Sequence, residues 1–228
     1  MAELPDISKT EVAIVEQTNA FRRAEKLEPL KRDPMLDRAA RQFALYLAKS
    51  GRFAHEADGR QPGDRAKEAG YWYCTIAENL ALNLDSRGFT VEKLARETVE
   101  GWKQSPGHRK NMLLPHVTEI GVGTAQAMGS DPKFLTVQLF GRPLSLAYEF
   151  KVMNKSTFTV QYTFAGKSER LDPHVTATHK SCDPGKITFS AGSWISGTKL
   201  DASYVPRAGS VFVVRPGPDG KARVEVKF

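Results

Sequence analysis

Four titratable residues stand in contexts that point to chemistry. His55 follows Phe53-Ala54 at the start of Phe-Ala-His-Glu-Ala-Asp-Gly-Arg. Glu78 is an acid inside the largely apolar segment Ala77-Glu78-Asn79-Leu80-Ala81. His108 lies in Ser105-Pro106-Gly107-His108-Arg109-Lys110-Asn111, and Glu119 opens the strand-like run Thr118-Glu119-Ile120-Gly121-Val122-Gly123. Two neutral imidazoles with a carboxylate are a competent zinc site that leaves a fourth position for water. Such a metal-bound water can act in hydrolysis. The second ring nitrogen of each histidine then needs a partner, which Glu78 or Glu119 supplies. The competing expectation is a His–Glu hydrogen-bond network that only braces the structure, because buried polar groups are paired whatever the function. The separations along the chain do not form a local metal motif, so the fold must assemble any cluster.

Two other chemistries draw on the same residues. Ser105 stands three residues before His108, and Ser-His-acid catalysis is recognised by geometry rather than chain order. Pro106-Gly107 reads as a helix terminus and turn, which Ser105 caps through its hydroxyl. No Gly-x-Ser-x-Gly elbow occurs. Glu78 and Glu119 are a conceivable carboxylate pair for glycoside cleavage, but the sequence does not set their separation. Tyr71, Trp72, Tyr73 and Trp102 read first as core packing and second as flat apolar walls for a sugar or lipid.

The elements that must position these residues differ between two halves. From residue 8 to about 114 the apolar spacing is helical. Ser8 or Thr10 caps a helix carrying Val12, Val15 and Phe21. Asp33-Pro34 is an N-cap followed by Pro at the first helical position, and Gly51 is the expected stop. A short helix is expected over 63–69. Thr90 caps another that carries Leu94, Ala95, Thr98 and Trp102 on one face and ends by Ser105-Pro106-Gly107. The stretches 120–123 and 134–140 read as strands, so helices cover a central sheet. After Gly141-Arg142-Pro143 only strand periodicity remains, with Tyr148, Phe150 and Val152 and then Phe158, Val160, Tyr162 and Phe164 alternating. Pro216–Gly220 is a hairpin signal between the apolar runs 211–214 and 224–228. A small β-sandwich or barrel follows for residues 146–228.

The ordered strings 53–55, Gly70-Tyr71, 77–81, 102–113 and 118–123 resemble the CAP superfamily: cysteine-rich secretory proteins, antigen 5 and plant pathogenesis-related class 1 proteins. The similarity is to its bacterial, SCP-like branch, over roughly residues 8–141. It implies an α-β-α sandwich over residues 1–145, secretion, and a cleft where two histidines and acidic residues converge. His55 matches the first family histidine, Glu78 the acid of the Glu-Asn motif, and His108 the second histidine. Eukaryotic members carry a second Glu three residues after the helix Trp; here that position is Ser105. Glu119 is the acid typical of the bacterial pattern. The resemblance implies no settled activity, since members are linked with sterol or lipid binding, proteolysis and signalling. It does not reach residues 146–228.

The expected fold class is therefore α+β: a CAP sandwich over 1–145, then an all-β domain over 146–228. The expected function is an extracellular binding module for a small, lipid or cell-wall ligand. The alternative is a metal-assisted hydrolase with His55 and His108 as zinc or other divalent-metal ligands and Glu78 or Glu119 as base. Among the 228 residues, 33 Lys and Arg stand against 26 Asp and Glu, a formal charge of +7. Residues 147–228 hold 12 basic and 7 acidic residues and so most of that excess, which suits docking on an acidic surface or partner. No phosphate loop or nucleic-acid motif accompanies it. No apolar run approaches the roughly 20 residues of a spanning helix. Cys74 and Cys182 form either one long-range disulfide or two free thiols. Met1–Pro5 show no basic segment leading into an apolar one, leaving a cytoplasmic chain or one whose export signal has been removed; the resemblance selects the extracellular or periplasmic side.

Overall fold

The computed structural model describes residues 3–129, 131–191, 201–217 and 222–228. Backbone contacts divide the chain into two compact units, Met1–Ser145 and Leu146–Phe228.

In the first unit the helices are α1 (Ile7–Ala24), α2 (Pro34–Ser50), α3 (Pro62–Glu68), α4 (Val91–Gln104) and α5 (Pro106–Met112). The strands are β1 (Lys31–Arg32), β2 (Tyr73–Leu84), β3 (Glu119–Gln126) and β4 (Lys133–Pro143). The strands form one sheet in the order β1-β3-β4-β2. β4 lies antiparallel to both β2 and β3, and the two-residue β1 pairs parallel with β3. On one face Leu36, Phe43 and Leu47 of α2 and Ala66 of α3 pack on Leu80, Val137 and Leu139. On the other, Ile14 of α1, Val99 and Trp102 of α4 and Met112 of α5 pack on Ile120, Val122 and Phe140. The result is the expected α-β-α sandwich.

Local sequence explains the helix ends. The Asp33 carboxylate accepts from the backbone N–H groups of Met35 and Leu36, Pro34 opens α2, and Gly51 closes it at φ 70°. The Thr90 hydroxyl caps α4. α1 departs from expectation: Asp6 is its N-cap, accepting from Lys9 N–H, ahead of the hydroxyls of Ser8 and Thr10. α4 ends at Gln104, as expected, but a further helix follows at once. Pro106 opens α5, and Ser105 is its N-cap residue without a side-chain cap bond.

α2 lies directly on β3 because that strand offers glycine where the helix passes. A Cβ at Gly123 would lie 2.1 Å from the Arg41 nitrogen, and one at Gly121 would lie 2.3 Å from the Leu36 carbonyl carbon. Beyond the short β1, the outer edge of β3 is closed by buried acids. Val122 N–H donates to Asp37 at 2.9 Å and Thr124 N–H to Glu11 at 3.1 Å. Arg32 and Arg41 neutralise both carboxylates. The β2 edge is closed in the same way, Trp102 donating to the Leu80 carbonyl at 2.9 Å and Asn111 to that of Glu78 at 3.1 Å. Buried backbone groups at both edges thus find side-chain partners.

In the second unit β5 (Tyr148–Asn154), β8 (Thr176–Ser181), β11 (Val211–Pro216) and β12 (Ala222–Lys227) form a sheet in the order β12-β11-β5-β8. β6 (Val160–Phe164), β7 (Lys167–Leu171), β9 (Ile187–Ala191) and β10 (Asp201–Tyr204) form a second, β10-β9-β6-β7. Phe150, Val152, Phe212 and Val214 from one sheet and Val160, Tyr162, Ile187 and Phe189 from the other share one core. This is a β-sandwich rather than a barrel. Phe158 belongs to that core from outside the strands. The expected hairpin pairs β11 with β12 antiparallel, although residues 218–221 of its turn lie outside the described residues. Both Cys74 and Cys182 are disulfide-bonded, so the free-thiol expectation is set aside.

Candidate functional site

The outermost strand β2 carries the Glu-Asn pair, whose side chains point to opposite faces. Glu78 lies on the α2–α3 side with a 1% exposed side chain. Its Oε1 meets His55 Nδ1 at 2.8 Å and its Oε2 accepts from Arg65 Nη2 at 2.8 Å. Arg65, in α3, also donates to the His55 carbonyl at 3.0 Å, to Asp58 at 2.8 Å and to the Arg60 carbonyl at 2.8 Å. Its guanidinium carbon sits 3.5 Å from the Phe43 ring centroid. One arginine therefore holds both the backbone of His55 and the carboxylate that grips its ring. Removing one partner of such a buried pair typically costs about 3–5 kcal/mol.

Asn79 points the other way. Its Nδ2 donates to the His108 carbonyl and to Gln138 Oε1, each at 3.2 Å, and its Oδ1 accepts from Asn111 at 3.0 Å. Gln138 in turn donates to Thr18 of α1 at 2.9 Å. These bonds pin α5 against β2 and so place His108. Because β2 is the last strand of the sheet, groups from its two faces can meet around its edge. There the charge of His55 reaches His108.

The two imidazoles differ. The Glu78 hydrogen bond raises the pKa of His55, overriding a burial that acts against it. Burial first, and the His55 charge second, lower that of His108. Around them, burial pushes the Asp58 carboxyl up, but the Arg60 backbone N–H and the Arg65 and Arg60 guanidiniums outweigh it and hold the group below the usual range.

The fold brings His55, Glu78 and His108 together, but it sets Glu119 elsewhere. Glu119 Oε2 accepts from the Tyr71 hydroxyl at 2.6 Å. Glu119 pairs with Gly141 of β4 and Glu78 with Leu139, so β4 stands between them. Two strand spacings put their backbones about 10 Å apart across the sheet alone. Ser105 makes no cap bond through its hydroxyl, against expectation. His108 is not at a broken helix end; it occupies the first turns of α5, with Arg109 and Lys110 in the last turn. Tyr71 and Trp102 are core residues, Tyr73 is half-buried, and Trp72 is 63% exposed.

Tested against a zinc centre, the donors fall short. Both Glu78 oxygens are engaged, Glu119 is held by Tyr71, and among the described residues no group of three His, Cys, Asp or Glu side chains could hold a metal. Two imidazoles alone do not make the three-ligand set of a catalytic zinc site.

Sequence reasoning missed Arg65 and Asn111. Asn111 lay inside the quoted string without a role. For Arg65 the only signal was indirect, an acid in an apolar segment that requires a buried cation.

The sheet, its two helical layers and the paired Glu78 and Asn79 define a protein class. Residues 15–140 match the family described as CAP, the cysteine-rich secretory protein family, and the chain belongs to it. Among individual proteins, it is 35% identical over 122 residues to the uncharacterised protein YkwD of Bacillus subtilis (strain 168), covering 53% of this chain and 44% of that one. The chain thus spans less than half the length of this curated relative. It is similar in fold to an outer surface protein from Borrelia burgdorferi, with a TM-score of 0.52 and 20% identity over 63% of this chain and 99% of that one. A further match is an extracellular protein containing a SCP domain from Bacillus anthracis, 26% identical with a TM-score of 0.49, over 60% of this chain and 41% of that one.

Proposed function

We propose that this chain is a secreted binding module, acting outside the cell or in a periplasm. In this reading His55, Glu78 and His108 form the polar wall of a cleft for a small or extended ligand. The observation that carries it is the commitment of Glu78: its two oxygens are taken by His55 and Arg65, and its side chain is 1% exposed. A carboxylate held this way fixes an imidazole. It is poorly placed to take a proton from water. His55 presents a side chain that is 51% exposed, with Nδ1 anchored and Nε2 left for a ligand group. The basic second unit would dock the protein on an acidic surface.

The second reading is a metal-assisted hydrolase. It is favoured by one detail, a carboxylate on His55 Nδ1, which is how a metal-bound histidine is commonly oriented. Among the described residues His55 and His108 would be the only ligands of a divalent ion such as zinc, one short of a catalytic zinc set, so a bound ion would need a further donor from its substrate.

Zinc calorimetry on wild type and on the His55→Ala/His108→Ala double variant, followed by peptide and peptidoglycan turnover with and without chelator, separates the two. The binding reading expects no turnover above a buffer blank. Chelator-sensitive turnover lost in the double variant would replace it with the hydrolase.

A further inference from the structure

Along β5, β6, β9 and β11 apolar side chains alternate into the core, and the pattern changes at one corner of the second unit. Inward positions of β5, β6, β9 and β11 are Phe150, Val152, Val160, Tyr162, Phe164, Ile187, Phe189, Phe212 and Val214, all in the core. Register places Lys167 opposite Phe164, Glu169 opposite Tyr162 and His179 opposite Phe150. Residues directly opposite share a face, so three ionisable side chains occupy positions that alternation assigns to the interior. β7 and β8 are the outer strands of their sheets, and here the sandwich opens between them. Phe164, Lys167, Glu169, His179, Lys180 and Ser181 line a cavity of about 310 Å³. That is the lower end of the roughly 300–1,000 Å³ of small-molecule sites.

The polar groups are held differently. His179 stacks on Phe150 with ring centroids 4.9 Å apart and shares a 2.8 Å hydrogen bond between Nε2 and the Tyr162 hydroxyl. It is a rigid wall. Among the described residues no hydrogen bond or ion pair engages the Lys167 or Glu169 side chain, and Lys180 has only a 3.9 Å approach to Glu149. At the rim, Ala165 and Gly166 take φ 49° and 77°, the two positive angles that a tight two-residue hairpin turn between β6 and β7 requires.

Lys167 and Glu169 lie two residues apart on one strand, so their Cα atoms are about 7 Å apart. They offer opposite charges to one cavity without pairing with each other. A simple anion would answer Lys167 and be repelled by Glu169; a cation would meet the reverse. We propose that this mouth binds a small zwitterion, an amino acid or a short peptide, with its ammonium on Glu169, its carboxylate on Lys167, and its apolar part on Phe164. The site lies within the second unit and does not depend on the reading of the His55 cluster.

Amide chemical-shift titration of the full chain tests it. The probes are L-alanyl-L-alanine, N-acetyl-L-alanine amide, which has neither charge, and acetate, which has only one. The expected result is saturable shifts confined to β7, β8 and the Ala165-Gly166 turn with the dipeptide, and none with the capped compound. Acetate should bind about tenfold more weakly, the size of effect a lost charged hydrogen bond gives. Glu169→Gln and Lys167→Gln should each weaken the dipeptide by a similar factor. Both side chains are exposed, and the rest of each spectrum reports whether the variant is folded. The proposal is overturned if the dipeptide shifts nothing at β7 and β8, if the capped compound matches it, or if neither variant weakens it.

Discussion

Glu78 governs the protonation of His55, and the sign of that control can be measured. In the wild type the Glu78 hydrogen bond raises the His55 pKa above its ordinary value, while burial and the Arg65 charge pull it down. Glu78→Gln removes the hydrogen bond and charge of Glu78, leaving only the smaller raising effect of Glu56 against burial and the Arg65 charge. The His55 Cε1–H resonance should therefore titrate at lower pH in the variant, as read by proton NMR. The same change alters stability against pH. A group with a raised folded pKa stabilises fully below its unfolded value, near 6.5, and loses that contribution as pH rises through the folded pKa. His108, whose pKa is lowered by burial, acts in the opposite sense and destabilises as pH falls. In the wild type the two slopes have opposite signs, that of His108 acting below about pH 6.5 and that of His55 above it. In Glu78→Gln both should favour higher pH, so stability should rise more steeply from about pH 5 to 7. Identical titration of His55 in both proteins would refute Glu78 as its controlling partner.

The helices of the first unit were legible because each carries a one-sided apolar stripe and a clear cap. Asp33-Pro34, Thr90 and Gly51 mark boundaries found in the fold. β2 was not legible. Helices cover both faces of its sheet, so Ala77, Leu80 and Ala81 show no alternation. α5 was hidden because Pro106-Gly107 reads as punctuation, whereas Pro at the first position starts a helix. The histidines and Glu78 could be chosen from the sequence, but not the Arg65 contact 13 residues away that completes the group. The seat of α2 on β3 gives the test at this scale. In Gly123→Ala the new Cβ would meet helix backbone at 2.1 Å, which no rotamer change relieves. It should cost at least the upper part of the 1–3 kcal/mol range, roughly, for overpacking. Gly51→Ala has no atom within 4 Å of its Cβ, so it should cost only the left-handed backbone penalty, about 1–2 kcal/mol. Urea unfolding midpoints should therefore fall further for Gly123→Ala. An equal or reversed order would mean that the helix does not sit on the strand as described.

Charge is distributed unevenly over the whole molecule, and this gives its surface an expected behaviour. Residues 147–228 hold 12 Lys and Arg against 7 Asp and Glu, leaving only a small excess for the rest of the chain. Lys151 and Lys227 both stand opposite Val211 and are exposed on the outward face of one sheet. Exposed charges act at long range only while salt does not screen them, the screening length being about 10 Å at 0.1 M and about 3 Å at 1 M. The protein should sediment with vesicles containing phosphatidylglycerol at low salt, and not with pure phosphatidylcholine. Binding should weaken steadily as sodium chloride is raised. Lys151→Glu/Lys227→Glu reverses two of these charges and should shift half-release to lower salt, while leaving zinc and dipeptide titrations unchanged. Retention that ignores salt, or that survives the double reversal unaltered, would mean that apolar contact rather than the basic second unit draws the protein to a surface.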